Sequence, residues 1–215
     1  HEFKTPLATI RGYTQLLGED IPPEKREKYG DIIIKKVDGL TALVTNILEL
    51  SKLESDDVRI SRSVFPLDEQ IRKNILFYEP TWSGKQIELI PDLLPVDYYG
   101  NPELVGEIWQ NLLDNAIKFT PQGGKITVTM KETPDQIFVC FQDNGIGMDA
   151  ETKAHMFDKF YQGERSHSMQ GNGLGLALVK RIVVLCGGSI SLESAEGKGT
   201  KITVLLPTTV VSPAP

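Results

Sequence analysis

The stretch Asn111-Leu112-Leu113-Asp114-Asn115-Ala116-Ile117-Lys118-Phe119 decides how this sequence is read. It lies inside a helix predicted over Pro102 to Phe119, where Asn111, Asn115 and Lys118 recur at helical spacing and share one face. Two amide oxygens and an ammonium turned to one site suit a hard divalent cation carrying phosphate. A merely solvated polar face is the plainer alternative. Outward from it, further helices are predicted at Leu67 to Phe77, Ala150 to Phe157 and Leu174 to Cys186, each flanked by Gly, Pro or Asn. Ile126, Val128 and Met130 alternate with polar residues, and Ile137, Val139 and Phe141 keep the same two-residue period beyond the turn at Pro134-Asp135. Ile190 and Leu192, then Ile202, Val204 and Leu206, repeat this across Glu196-Gly197-Lys198-Gly199. One-sided alternation predicts a helix layer on a mixed, largely antiparallel sheet, a two-layer α/β sandwich.

Ahead of that domain the pattern is different. Leu7, Ile10 and Leu17 keep helical spacing, and after Ile21-Pro22-Pro23 it resumes at Ile33, Val37, Leu40, Val44 and Ile47. This is a helical hairpin, so the fold class is α+β. A second stripe, Leu43, Leu50 and Leu53, is wider than one partner helix covers. Two hairpins are expected to pair as a homodimeric four-helix bundle, the alternative being that the stripes pack on the chain's own second domain. The boundaries read as 1–60 for the hairpin, 61–208 for the sandwich and 209–215 for a Pro-rich disordered tail.

Composition narrows the function. A net charge of −6 and a pI near 5.2 argue against nucleic acid as a partner, which needs a surplus of Lys and Arg on one face. Cys140 and Cys186 lack metal-type spacing and read as buried, reduced thiols, which fits a cytoplasmic location. No apolar run exceeds the length of Ile137 to Phe141, whereas a membrane span needs about 20 residues, so no direct membrane contact and no signal peptide are expected.

Three more clusters carry chemistry. In His1-Glu2-Phe3-Lys4-Thr5-Pro6-Leu7 a neutral imidazole offers a nucleophilic nitrogen, and Glu2 can hold the proton on the other. Thr5, one helical turn on, can position a water, and Pro6 is expected to bend the helix. A solvated chain end or a tag remnant is the alternative for His1. Asp143-Asn144-Gly145-Ile146-Gly147-Met148 follows an apolar strand. Its carboxylate can accept from an exocyclic amine such as that of adenine, while Gly145 and Gly147 admit a planar base; a tight turn with a structural Asp is equally open. Gly171-Asn172-Gly173-Leu174-Gly175-Leu176 opens a helix whose N-terminal amides suit a triphosphate. The glycine spacing matches neither the Rossmann fingerprint nor the Walker loop. Between these two clusters, a stretch with Phe157, Lys159, Phe160 and Arg165 reads as a mobile lid.

In this order the clusters resemble those of two-component sensor histidine kinases: an H box at His1, an N box at Asn111 to Phe119, glycine boxes at Asp143 to Gly147 and Gly171 to Gly175, and an F box at Phe157 to Phe160. The resemblance covers nearly the whole chain. It implies a Bergerat-type ATP-binding domain with Asp143 on the adenine amine, Asn115 and Asn111 on Mg²⁺, and Lys118 near the phosphates. Phe119 would line the base pocket and Thr200 would close its far side. It further implies ATP-dependent phosphorylation of His1, transfer to an aspartate on a response regulator receiver domain, and a phosphatase activity using Thr5. A membrane-anchored parent protein is common in such families.

Two departures follow. Gln162 stands where many relatives carry Arg, so a lid contact to the γ-phosphate falls to Lys159 or Arg165, or is weaker. The sequence also opens at His1 with the helical pattern under way, like a fragment. His1 would sit in a frayed first turn, and the expectation is normal ATP binding with slow autophosphorylation until upstream residues are restored. The rival classes are an ATPase of the same superfamily and an ATP-binding dimeric scaffold. Related ATPases carry a Glu general base four residues before the Mg²⁺ Asn, where this chain has Asn111.

Overall fold

A computed structural model describes residues 2–54, 61–163 and 172–208. His1, Arg165 and Gly171, together with the later part of the expected lid (164–170) and the expected tail, therefore lie outside the described residues. Helix α1 (Lys4–Leu17) and helix α2 (Pro23–Glu54) form the hairpin, and the rings of Tyr13 and Tyr29 pack 5.0 Å apart to set their register. Pro6 falls in the first turn of α1, where an absent N–H leaves no bond unmade, so the expected bend is not needed.

Strand β1 (Ser63–Pro66) leads into α3 (Leu67–Phe77), α4 (Glu79–Gly84), β2 (Glu88–Leu93) and β3 (Asp97–Gly100). Then come α5 (Pro102–Phe119), β4 (Lys125–Glu132), β5 (Gln136–Asp143), α6 (Ala150–His155), α7 (Gly175–Leu185), β6 (Ser189–Ser194) and β7 (Thr200–Pro207). The main sheet has five strands in the order β2-β4-β5-β7-β6, with β2 parallel to β4 and every other pair antiparallel. β1 and β3 make a separate two-stranded ribbon. Helices α3, α5 and α7 cover one sheet face, which is the two-layer sandwich the alternation predicts.

Local chemistry fixes α5, the helix that carries most of the site. Asn101 Oδ1 accepts from the Leu104 N–H at 2.8 Å, and Pro102 opens the helix with a donor that needs no partner. At the other end the Lys85 ammonium donates to the carbonyls of Ile117 at 2.7 Å, Lys118 at 3.2 Å and Thr120 at 2.7 Å. A cation on the last carbonyls satisfies orphan acceptors and the helix dipole together. Beneath, Trp109 is fully buried, stacks on Phe141 with centroids 6.1 Å apart, and donates from Nε1 to Gln70 Oε1 at 3.1 Å.

The hairpin meets the sandwich along α2. Leu43, Leu50 and Leu53 are buried and join the same apolar cluster as the sandwich core, while Val37, Val44 and Leu48 stay exposed. Of the two readings of the second stripe, packing on the chain's own domain is the one observed. Arg181 on α7 clamps the Leu53 carbonyl with Nε at 2.9 Å and Nη2 at 2.6 Å. Among the thiols, Cys140 is buried, but Cys186 is only half-buried, in contact with Tyr98. No described helix is long and apolar enough to cross a membrane.

Candidate functional site

A cleft of about 990 Å³ opens between α2 and the sandwich. Glu2 and Thr5 line it from the start of the hairpin, and Asn111, Asn115, Lys118 and Phe119 line it from α5. Asp143, Gly147, Gly173, Gly175, Leu176 and Thr200 also line it. Residues far apart in sequence thus share one cavity, because β5 delivers Asp143 beside Thr200 of β7 while α5 ends and α7 starts at the same cleft.

Asp143 is anchored through one oxygen. Its Oδ1 accepts from the N–H of Gly145 at 2.8 Å and of Thr200 at 3.2 Å, which leaves Oδ2 without a partner among the described residues. Burial raises its carboxyl above the ordinary carboxylate value, and the two backbone N–H groups partly offset this by favouring the anion. The loop that follows is pinned on both sides. Ile146 donates to the Phe119 carbonyl at 3.3 Å, and Gly197 donates to the Ile146 carbonyl at 2.7 Å. Gly147 has φ of +65°, and a Cβ there would meet the Ala195 carbonyl, so both conformation and space require glycine.

Ser194 joins the same floor, although no motif in the sequence points to it. It accepts from the Met148 N–H at 2.9 Å and donates to the Gly199 carbonyl at 2.8 Å. Its proton is thereby committed, so the Thr200 hydroxyl, 3.2 Å away, is the donor in their contact.

On α5 the two asparagines differ. Asn111 donates from Nδ2 to the Glu107 carbonyl at 2.8 Å, which leaves its Oδ1 as the free end. Half-buried Asn115 makes no hydrogen bond with any described residue, so its amide oxygen is available. Lys118 sits 5.0 Å from the centroid of the Phe119 ring; burial lowers its pKa, and the nearby Asp114 carboxylate works against that shift.

Not every expected residue reaches the cleft. Leu174 is a core side chain, 1% exposed, and its N–H is bonded to Asn172 Oδ1 at 3.2 Å. Gly145 lies behind Asp143, under the Phe119 carbonyl, and does not line the cavity. Lys159 turns away altogether, pairing with Glu54 Oε1 at 2.6 Å, because the end of α2 brings a carboxylate within its reach. Gly173, with φ of +67°, accepts from the Phe160 N–H at 2.9 Å and so ties the F box to the start of α7. The sequence reading also missed the opposite wall. Ile32, Lys35, Lys36, Asp38, Gly39, Leu40, Ala42, Leu43 and Asn46 line the cleft from α2, and Ile32, Lys36, Gly39, Leu43 and Asn46 among them keep the three-to-four-residue spacing of one face.

Comparison with known proteins agrees with this arrangement. Residues 1–56 match the His Kinase A (phospho-acceptor) domain, and residues 100–210 match the histidine kinase-, DNA gyrase B- and HSP90-like ATPase family. Sensor histidine kinase YcbM of Bacillus subtilis is 32% identical over 96% of the chain and 68% of its own length. Sensor histidine kinase WalK of the same organism is 32% identical over 96% of the chain, which spans only 35% of WalK. Among solved structures, Acinetobacter baumannii histidine kinase AdeS superposes with a TM-score of 0.81 at 22% identity, covering 97% of this chain and 98% of that one. Histidine kinase ThkA, in complex with response regulator protein TrrA, has a TM-score of 0.81 at 24% identity over 97% of this chain and 59% of that chain. The chain belongs to the sensor histidine kinase family.

Proposed function

We propose that this chain is a protein histidine kinase core, with 1–60 as the phosphoacceptor and dimerisation hairpin and 61–208 as the ATP-binding domain. One observation carries the reading: Glu2 and Thr5, the neighbours of His1, line the same cleft as Asn115 and Asp143 of the same chain. The adenine amine donates to Asp143 Oδ2, the oxygen that the backbone leaves open, and Thr200 closes the far side. Lys118 and the start of α7 hold the phosphates, with Phe119 against the base. The two amide oxygens fit Mg²⁺, since a hard cation carrying phosphates needs few protein ligands and takes neutral oxygens. Asn115 and Asn111 would hold the ion, which when bound neutralises the phosphate oxygens.

The transfer itself is in-line. The unprotonated nitrogen of His1 forms a bond to the γ-phosphorus as the bond to the β-phosphate oxygen breaks, and Glu2 holds the proton on the other imidazole nitrogen. The phosphoryl group then passes to an aspartate on a response regulator, and a homodimer forms through the exposed stripe of the hairpin. A phosphatase role for Thr5 is supported by its place in the cleft and its position four residues after His1 in the sequence. ATPase chemistry is the weaker reading, because Asn111 stands where related ATPases carry the general base. Incubation with γ-labelled ATP tests it: acid-labile, base-stable label is expected on the chain and absent from His1→Gln. Label that survives in His1→Gln, or label released only as free phosphate, rules the reading out.

A further inference from the structure

We infer that Lys36 supplies a cation to the phosphoryl group in transit, acting in the transfer step and not in nucleotide binding. The inference rests on the cleft being a phosphoryl-transfer site. In such a reaction negative charge spreads over the equatorial oxygens, and positioned cations are the main protein contribution. Among the described residues, the lid side of this cleft is poor in them. Lys159 is spent on Glu54 at 2.6 Å, and position 162, where an Arg would serve, is Gln. Lys118 lies on the nucleotide side, against its own Phe119 ring.

The opposite wall compensates. Lys36 lines the cleft from α2, is exposed, and makes no hydrogen bond or ion pair with any described residue. Its height in the hairpin follows from the Tyr13–Tyr29 pair. The helices run antiparallel with equal rise, so equal steps along α2 from Tyr29 and back along α1 from Tyr13 lead together to Lys36 and Pro6. Lys36 therefore stands level with the first turn of α1, the turn that carries Thr5, on the same cleft. A free ammonium at that height faces the arriving phosphoryl group across the cleft from Asn115. Lys35, its neighbour on the wall, already has a partner.

The test compares Lys36→Ala and Lys36→Arg with the unaltered chain, measuring label incorporation at saturating ATP and, separately, affinity for a non-hydrolysable ATP analogue. Lys36→Ala is expected to slow incorporation on the order of tenfold to a hundredfold with analogue affinity unchanged, and Lys36→Arg to keep most of the rate. An alanine variant as fast as the unaltered chain, or one whose affinity falls as far as its rate, overturns the assignment. Failure of the underlying kinase reading shows elsewhere, in an unaltered chain that binds the analogue and takes up no label.

Discussion

The hairpin and the sandwich bury their apolar residues in opposite ways. No residue of α1 is buried, whereas in the sandwich Trp109, Ile126, Val128, Val139, Leu178 and Val204 are all fully enclosed. The sandwich closes its own core; the hairpin depends on surfaces outside itself. One such surface is α7, which receives Leu50 and Leu53, and the other is the second chain that the exposed Val37, Val44 and Leu48 call for. Under the proposed kinase reading this division has a use, because a half with its own closed core can hold the nucleotide while the other half presents the acceptor.

That contrast can be broken at several points. The largest effect is expected from Trp109→Ala, which removes the side chain stacked on Phe141 and leaves Gln70 unpaired: about 3–5 kcal/mol of sandwich stability, read by chemical denaturation with helical signal from the hairpin retained. If both halves unfold together with unchanged midpoints, the sandwich does not hold its own core. Next, Val37→Glu with Leu48→Glu puts charge into the exposed stripe and should turn dimers into monomers by sedimentation, while ATP-analogue affinity stays the same. An unaltered dimer would place the interface elsewhere. The smallest is Arg181→Ala, which frees the Leu53 carbonyl and should cost about 1–2 kcal/mol, seen as faster proteolysis near the end of α2.

Legibility in the sequence followed the same line. The bounds of α5 and α3 were readable because caps and prolines punctuate them, β4 because one face alternates cleanly, and β5 and β7 because short apolar stretches lie between turn residues. β1 and β3 were not, since four residues apiece are too few for a period to stand out, nor was β2, whose Pro91 is tolerable only on a sheet edge. In the site, Asp143, Asn115 and Thr200 could be named from motif order. Ser194 could not, because a lone hydroxyl in a strand carries no signal, and Lys36 reads as one more solvated charge until α2 is set against the cleft. Lys159 misled because its sequence neighbours say nothing of Glu54, which reaches it only through docking of the hairpin.

Mixed dimers give the most direct measurement of whether phosphate passes within one chain's cleft. A His1→Gln chain paired with an Asp143→Asn chain has one intact nucleotide site and one intact acceptor, on different chains. Dimers of this kind are expected to take up no label, while His1→Gln paired with the unaltered chain takes up about half of the usual amount. Strong labelling of the first pair would contradict a cleft that serves its own histidine.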